Sequence, residues 1–168
     1  MKSKLTLALI AILITGALAS GVLWLLPKNA IPESDIEKRL KTPELIPQIT
    51  WRMLNSFDYN TNIGPAELMA LDGELVKIPG YVVSLSDSWS ELDEFLLVPD
   101  GQACIHVPPP PPNLIVTVTL RQPASMDEVF NPSWVYGIFR IEDTYSVHGG
   151  SSYTLDGVKI EKFEYDGY

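Results

Sequence analysis

Residues 103 to 113 read Ala-Cys-Ile-His-Val-Pro-Pro-Pro-Pro-Pro-Asn, and they hold the side chains of this chain best suited to chemistry. Extended backbone alternates its side chains, so Cys104 and His106 share one face and Ile105 takes the other. Their α-carbons then lie about 6.6 Å apart, two rises of about 3.3 Å, a spacing from which thiolate and imidazole can reach one ion. Zinc or copper is the metal that this ligand pair favours. Two ligands do not close a structural zinc site, which takes four. The chain's other histidine, His148 in Val147-His148-Gly149-Gly150, is the candidate third ligand. Asp93, Glu94 or Asp100 can add an oxygen. Two other readings of the pair stand beside the metal site. His106 can lower the thiol pKa and make Cys104 a nucleophile, although neither an oxyanion donor set nor a third residue is identifiable. Alternatively Cys104 is a small buried hydrophobe and His106 a hydrogen-bonded loop residue.

Val107 is held extended by the proline that follows it. Pro108 to Pro112 then form a polyproline II rod of about 15 Å, at roughly 3.1 Å per residue, with no main-chain donors to satisfy. Such a rod fixes Cys104 and His106 in place. It is also a docking segment for a partner protein, since proline-rich segments bind aromatic grooves, or else it packs on the chain's own Trp51, Trp89 or Trp134. Asp87, Glu91, Asp93 and Glu94 crowd a loop beside Trp89. This reads as a solvated acidic loop, with weak divalent-cation binding the sharper alternative, and no EF-hand spacing is present. There is no Ser/His/Asp order, Walker loop or Rossmann glycine fingerprint. The balance is against an enzyme.

The elements that must position this segment read as strands. Glu74 to Leu85 is rich in valine, and Pro79-Gly80 in its middle predicts a bulge or sharp bend. Phe95 to Val98 reads as a short buried strand. Asn113 to Leu120 alternates, with Leu114, Val116, Val118 and Leu120 on one face. Trp134 to Ile141 is extended and broken by Gly137, and Tyr153 to Leu155, Asp156-Gly157 and Val158 to Phe163 predict a hairpin. Five strands bent at glycines suit a small closed barrel of OB-like form, with a β-sandwich as the alternative. A helical turn is expected from Gly64-Pro65 to Leu71.

The 168 residues allow one such domain and a short appendage. One cysteine excludes an internal disulfide framework. A net charge of −9 argues against a binder of nucleic acid or anionic lipid.

The appendage is N-terminal. Lys2 and Lys4 precede an uncharged run from Leu5 to Leu26, seventeen of whose twenty-two residues are Ala, Val, Ile, Leu or Trp. As a helix at about 1.5 Å per residue it extends roughly 33 Å, enough for a bilayer core of about 30 Å. It is expected to be an inner-membrane anchor with Lys2 and Lys4 inside, or a signal peptide cut after Ala19. Either reading exports residues 28–168. Residues 27–50 hold four prolines and read as a tether interrupted by a short helix, for which Ser34 and Glu37 form a capping box. The compact domain is expected over 51–168.

Gly73 to Leu85, Glu94-Phe95-Leu96-Leu97-Val98-Pro99, and Ala103 to Val107 with the prolines and Asn113 together resemble an uncharacterised family of exported bacterial proteins. The likeness runs from Trp51 to Ile160 and includes Trp134-Val135-Tyr136-Gly137 and Tyr153-Thr154-Leu155. The resemblance implies a Gram-negative periplasmic or inner-membrane-tethered domain, often encoded near transport components linked to metal supply, and no established activity. Where the family pattern often carries glutamine after the asparagine, this chain has Leu114. The expected function is an accessory or binding protein of the bacterial envelope. Its ligand is a metal at Cys104 and His106, or a transporter protein touching the rod.

Overall fold

Leu75, Val76 and Ile78, followed by Val82 and Val83, supply the branched side chains that suit a pleated, half-buried surface. In the computed structural model, which describes residues 31–85, 91–101, 110–125, 129, 132–146 and 149–163, they form one strand, β1 (Leu75–Ser84). Four more follow: β2 (Glu91–Val98), β3 (Val116–Ser125), β4 (Ser133–Ser146) and β5 (Gly149–Lys162). β3 and β5 are parallel and the other four pairings are antiparallel. The result is a single mixed sheet in the order β1-β2-β3-β5-β4, and β4 pairs back onto β1 so that it closes. The chain is therefore mainly β, with all five strands in one sheet instead of the two packed sheets of a sandwich. Among the described residues three short α-helices accompany it: α1 (Glu33–Leu40), α2 (Trp51–Asn55) and α3 (Ala66–Met69).

Closure depends on β1 changing partner halfway. Leu75 to Gly80 pair with β4, whereas Tyr81 to Ser84 pair with β2. The exchange falls on Pro79-Gly80, where a bulge was expected. A Cβ on Gly80 would lie 2.8 Å from Leu97 Cγ and 2.9 Å from the Val98 carbonyl oxygen, so β2 approaches this closely only because the position is bare. Pro79 brings no N–H to the ladder, and its carbonyl accepts from the Trp51 indole. Beside Lys77, residues 47–49 lie as a parallel bridge: the Lys77 N–H donates to the Pro47 carbonyl at 2.9 Å, and the Ile49 N–H to the Lys77 carbonyl at 3.0 Å.

Of the segment expected as a tether, residues 33–50 are part of the domain. The compact unit begins at Glu33, and Ile36, Ile46 and Ile49 are buried. Each such side chain contributes about 1.5–3 kcal/mol when fully buried, which is why a proline-rich stretch lies ordered against the sheet. The short helix is present, but it begins at Glu33, so Ser34 stands inside the first turn and not at the cap. α2 opens the stretch where the compact domain was expected to begin; the Thr50 hydroxyl caps it by accepting from the Met53 N–H at 3.3 Å.

The expected hairpin at Asp156-Gly157 is not formed. β5 runs straight through both residues, and Gly157 pairs with Leu120 on one side and Gly137 on the other. A Cβ there would meet Leu120 Cδ2 at 2.7 Å. The glycine answers to crowding, not to a turn. One core cluster joins Ile49, Leu54, Phe57 and Leu68 from the N-terminal segments to Val76, Phe95, Val116 and Phe139 of the sheet.

Candidate functional site

Cys104, His106 and His148 lie outside the described residues, as do Asp87, Trp89, Pro108 and Pro109. What the structure gives is the ground on either side of them. Pro111 has φ −63° and ψ 154°, the polyproline II values expected of the rod. The chain then turns through Pro112–Leu114 before entering β3. Leu114, expected on the core face, is in this turn and only half-buried, while Val116, Val118 and Leu120 are buried as the alternation requires. On the other side, Ser146 and Gly149 pair with each other where β4 and β5 flank positions 147 and 148.

Asn113 fixes the end of the proline run. Its Nδ2 donates to the Asn55 carbonyl at 3.2 Å and to the Phe57 carbonyl at 2.9 Å. The Tyr153 hydroxyl donates to the Leu54 carbonyl at 2.8 Å. A helix leaves its last carbonyls without intrahelical partners, and here two side chains distant in sequence supply donors. Burial pushes the Tyr153 phenol above its ordinary pKa, which keeps it protonated as a donor.

Beside this clasp lies a recess of about 50 Å³ lined by Tyr59, Pro112, Asp143, Tyr145, Gly150, Ser151 and Ser152. It joins the end of the proline run to the strand residues that flank position 148. Tyr145 and Gly150 are a cross-strand pair, and a Cβ on Gly150 would touch the Tyr145 ring at 3.3 and 3.4 Å. The Tyr145 ring thus lies over bare backbone. Ser151 is satisfied locally, its hydroxyl donating to the Tyr153 carbonyl at 2.6 Å. Ser152 is 1% exposed and its hydroxyl has no partner among the described residues. A wider trough of about 330 Å³, lined by Asn62, Met69, Asp72, Ile141, Glu142 and Asp143, continues from Asp143.

The expected packing of the rod on Trp89 falls outside the described residues; at the rod's described end the aromatic neighbours are tyrosines. Pro112 shares its recess with Tyr59 and Tyr145. Trp51 is engaged with Pro79, and Trp134 packs on Phe163 with ring centroids 4.9 Å apart, Lys77 Nζ lying 5.1 Å from its ring centroid. Asp93, Glu94 and Asp100 are exposed. Among the described residues no group of three or more His, Cys, Asp or Glu is placed to hold a metal ion, and no helix is long and apolar enough to cross a membrane. The proposed anchor, residues 5–26, lies outside the described set.

One charged cluster on β4 and β5 escaped sequence reading. Tyr136 donates to Glu161, which is also paired with Lys159. Burial raises the Tyr136 pKa, helped by the hydrogen bond to Glu161. For Glu161 burial pulls upward, but hydrogen bonds from Lys159 and Tyr136 and the charges of Lys159 and Lys77 outweigh it and hold the carboxyl low. Only the cross-strand register, Tyr136 against Lys159 and Trp134 against Glu161, brings these groups together.

Residues 29–162 match the family described as "Protein of unknown function (DUF3299)". The chain belongs to this family. It is also similar to a crystal structure of a DUF3299 family protein from Pseudomonas aeruginosa PAO1, at 34% identity and a TM-score of 0.58, over 73% of this chain and 99% of that one. No curated protein matches. The match begins upstream of α1, in keeping with residues 33–50 being part of the domain.

Proposed function

We propose that this chain is a non-enzymatic accessory or binding protein of the bacterial envelope, periplasmic and held at the inner membrane through residues 5–26, whose ligand is a transition metal at Cys104, His106 and His148. The closed sheet is read as an OB-like barrel, because its five strands follow the Greek-key order of such barrels, with β3 and β5 as the parallel pair. Within this reading the Cys-x-His segment with its prolines and Asn113 marks the family. The observation that carries it is the recess in which Pro112 meets Tyr145 and Gly150. The segment bearing Cys104 and His106 rejoins the described chain two residues before Pro112, and His148 lies two residues from Gly150. Both segments leave the described chain at this recess, which supports a shared ion, although the proline run must turn back for the ligands to meet at about 2.0 to 2.3 Å. The test is metal analysis of the purified full chain under reducing conditions, wild type against Cys104→Ser, His106→Ala and His148→Ala. A near-stoichiometric zinc or copper ion lost in all three variants is the expected result; its absence from the wild type overturns the metal site.

A second reading, a protein-interaction scaffold built on Pro108 to Pro112, is favoured by one observation. Pro111 is exposed and already has polyproline II dihedrals, so little ordering entropy is left to lose when a partner docks. The partner in this reading is an envelope transporter protein. A pull-down that survives Cys104→Ser and His106→Ala but fails when Pro109 to Pro111 become alanine selects it.

A further inference from the structure

The recess at Ser152 has a chemistry of its own, independent of any metal. Ser152 is in the closed sheet, 1% exposed, with a hydroxyl that finds no donor or acceptor among the described residues. An unpaired buried hydroxyl costs about 1–3 kcal/mol, and this one belongs to a residue that lines a recess large enough for one polar head group. At the mouth stand two tyrosines, Tyr59 at 38% and Tyr145 at 86% exposure. Asp143 lines the same recess and also the adjoining trough with Asp72 and Glu142. Among the described residues no lysine or arginine lines either depression. The surrounding chain is acidic as well: without Lys2 and Lys4, ten basic residues stand against twenty-one acidic ones.

We propose that this recess receives the side chain of an arginine presented by a partner polypeptide, whose neighbouring residues lie along the Asp72-Glu142-Asp143 trough. A guanidinium stacks on aromatic faces, which Tyr59 and Tyr145 offer. Its planar fork matches a carboxylate, here Asp143, and a small shift of the buried Ser152 side chain would let its hydroxyl, which has no partner among the described residues, accept from a remaining N–H. Gly150 lets the Tyr145 ring lie against the strand at the edge of the recess. Lysine offers a compact, strongly hydrated point charge and neither stacks nor forks in this way.

The probe is acetyl-Gly-Arg-Gly-amide added to the ¹⁵N-labelled full chain, with the lysine and citrulline peptides alongside. Saturable amide shifts centred on Tyr145, Gly150 and Ser152 are expected with the arginine peptide, weaker ones with lysine and none with citrulline. Asp143→Asn should weaken the arginine peptide by about tenfold, and Tyr145→Ala should weaken it too. Ser152→Ala should leave the free protein as stable as wild type or more so, yet weaken the peptide; a purely structural serine would give the reverse. Cys104→Ser should bind like wild type, which separates this site from the metal reading. Equal binding of the citrulline or lysine peptide, full binding by Asp143→Asn, or no saturable shift at millimolar peptide overturns the proposal.

Discussion

Asn113 donates from its Nδ2 to the Phe57 carbonyl at 2.9 Å, across fifty-six positions of sequence. The same nitrogen reaches the Asn55 carbonyl. One amide thereby fastens the end of α2 to the entrance of β3, at the point where the proline run ends. Asn113→Ala leaves the buried Phe57 carbonyl and the part-buried Asn55 carbonyl short of a donor and should cost about 2 kcal/mol. Asn113→Asp should cost more, because a carboxylate would face carbonyl oxygens. Urea denaturation of the three proteins measures the order.

Tyr153 holds the same helix from the other side through its hydroxyl on the Leu54 carbonyl. Tyr153→Phe keeps the ring contacts with Phe57 and Phe139 and removes the donor, with an expected loss of about 1–2 kcal/mol. Its pKa is raised in the fold above the ordinary 10.0, so its contribution is complete below that value. It is lost as pH rises toward the folded value, at about 1.4 kcal/mol per pH unit. The variant should therefore show a shallower alkaline limb in stability against pH.

Glu161 has the opposite sign. Its carboxyl is held below the ordinary 4.5, so the stabilisation is present above that value and declines as pH falls through the folded one. Glu161→Gln should flatten this part of the acid limb, and a pH series of thermal melts reads the slope.

Ile36 tests where the domain begins. If residues 33–50 were a tether, Ile36→Ala would be silent. Its side chain is 1% exposed, and a buried isoleucine cut to alanine costs about 2–5 kcal/mol. A chain starting at Trp51 should be less stable than one starting at residue 31, by calorimetry.

Gly80 tests closure. Gly80→Ala drives a methyl into Leu97 and the Val98 carbonyl, and overpacking of this kind costs about 1–3 kcal/mol. The amides of Tyr81 to Ser84 should lose hydrogen-exchange protection before those of Leu75 to Ile78, since β1 changes partner at this residue.

How far sequence reading reached depends on whether a residue's reason is local. Val116, Val118 and Leu120 show their face through alternation alone, and Pro65 with Gly73 brackets α3 closely enough to place it. Gly157 misleads because Asp-Gly carries the signature of a turn, whereas its cause is Leu120 on a strand far away in sequence. The prolines of residues 27–50 likewise hide that Ile36, Ile46 and Ile49 have a sheet to lie on. The recess at Ser152 was illegible for the same reason. Tyr59, Asp143 and Ser152 meet only after β4 and β5 pair and the turn at Pro112–Leu114 closes over them. The reading of Cys104 and His106 as a ligand pair rests on sequence alone, since both lie outside the described residues.

The pairing of β4 back onto β1, with residues 47–49 laid beside Lys77, has a consequence for how this domain can be recruited. Partners that bind by β-augmentation need a sheet margin with unspent amide and carbonyl groups. In the closed order each strand has a neighbour on either hand over part of its length, which shortens any margin open to the stacking that seeds aggregates. Recognition then falls mainly to side chains and connecting loops, so its specificity can change by single substitutions without disturbing the frame.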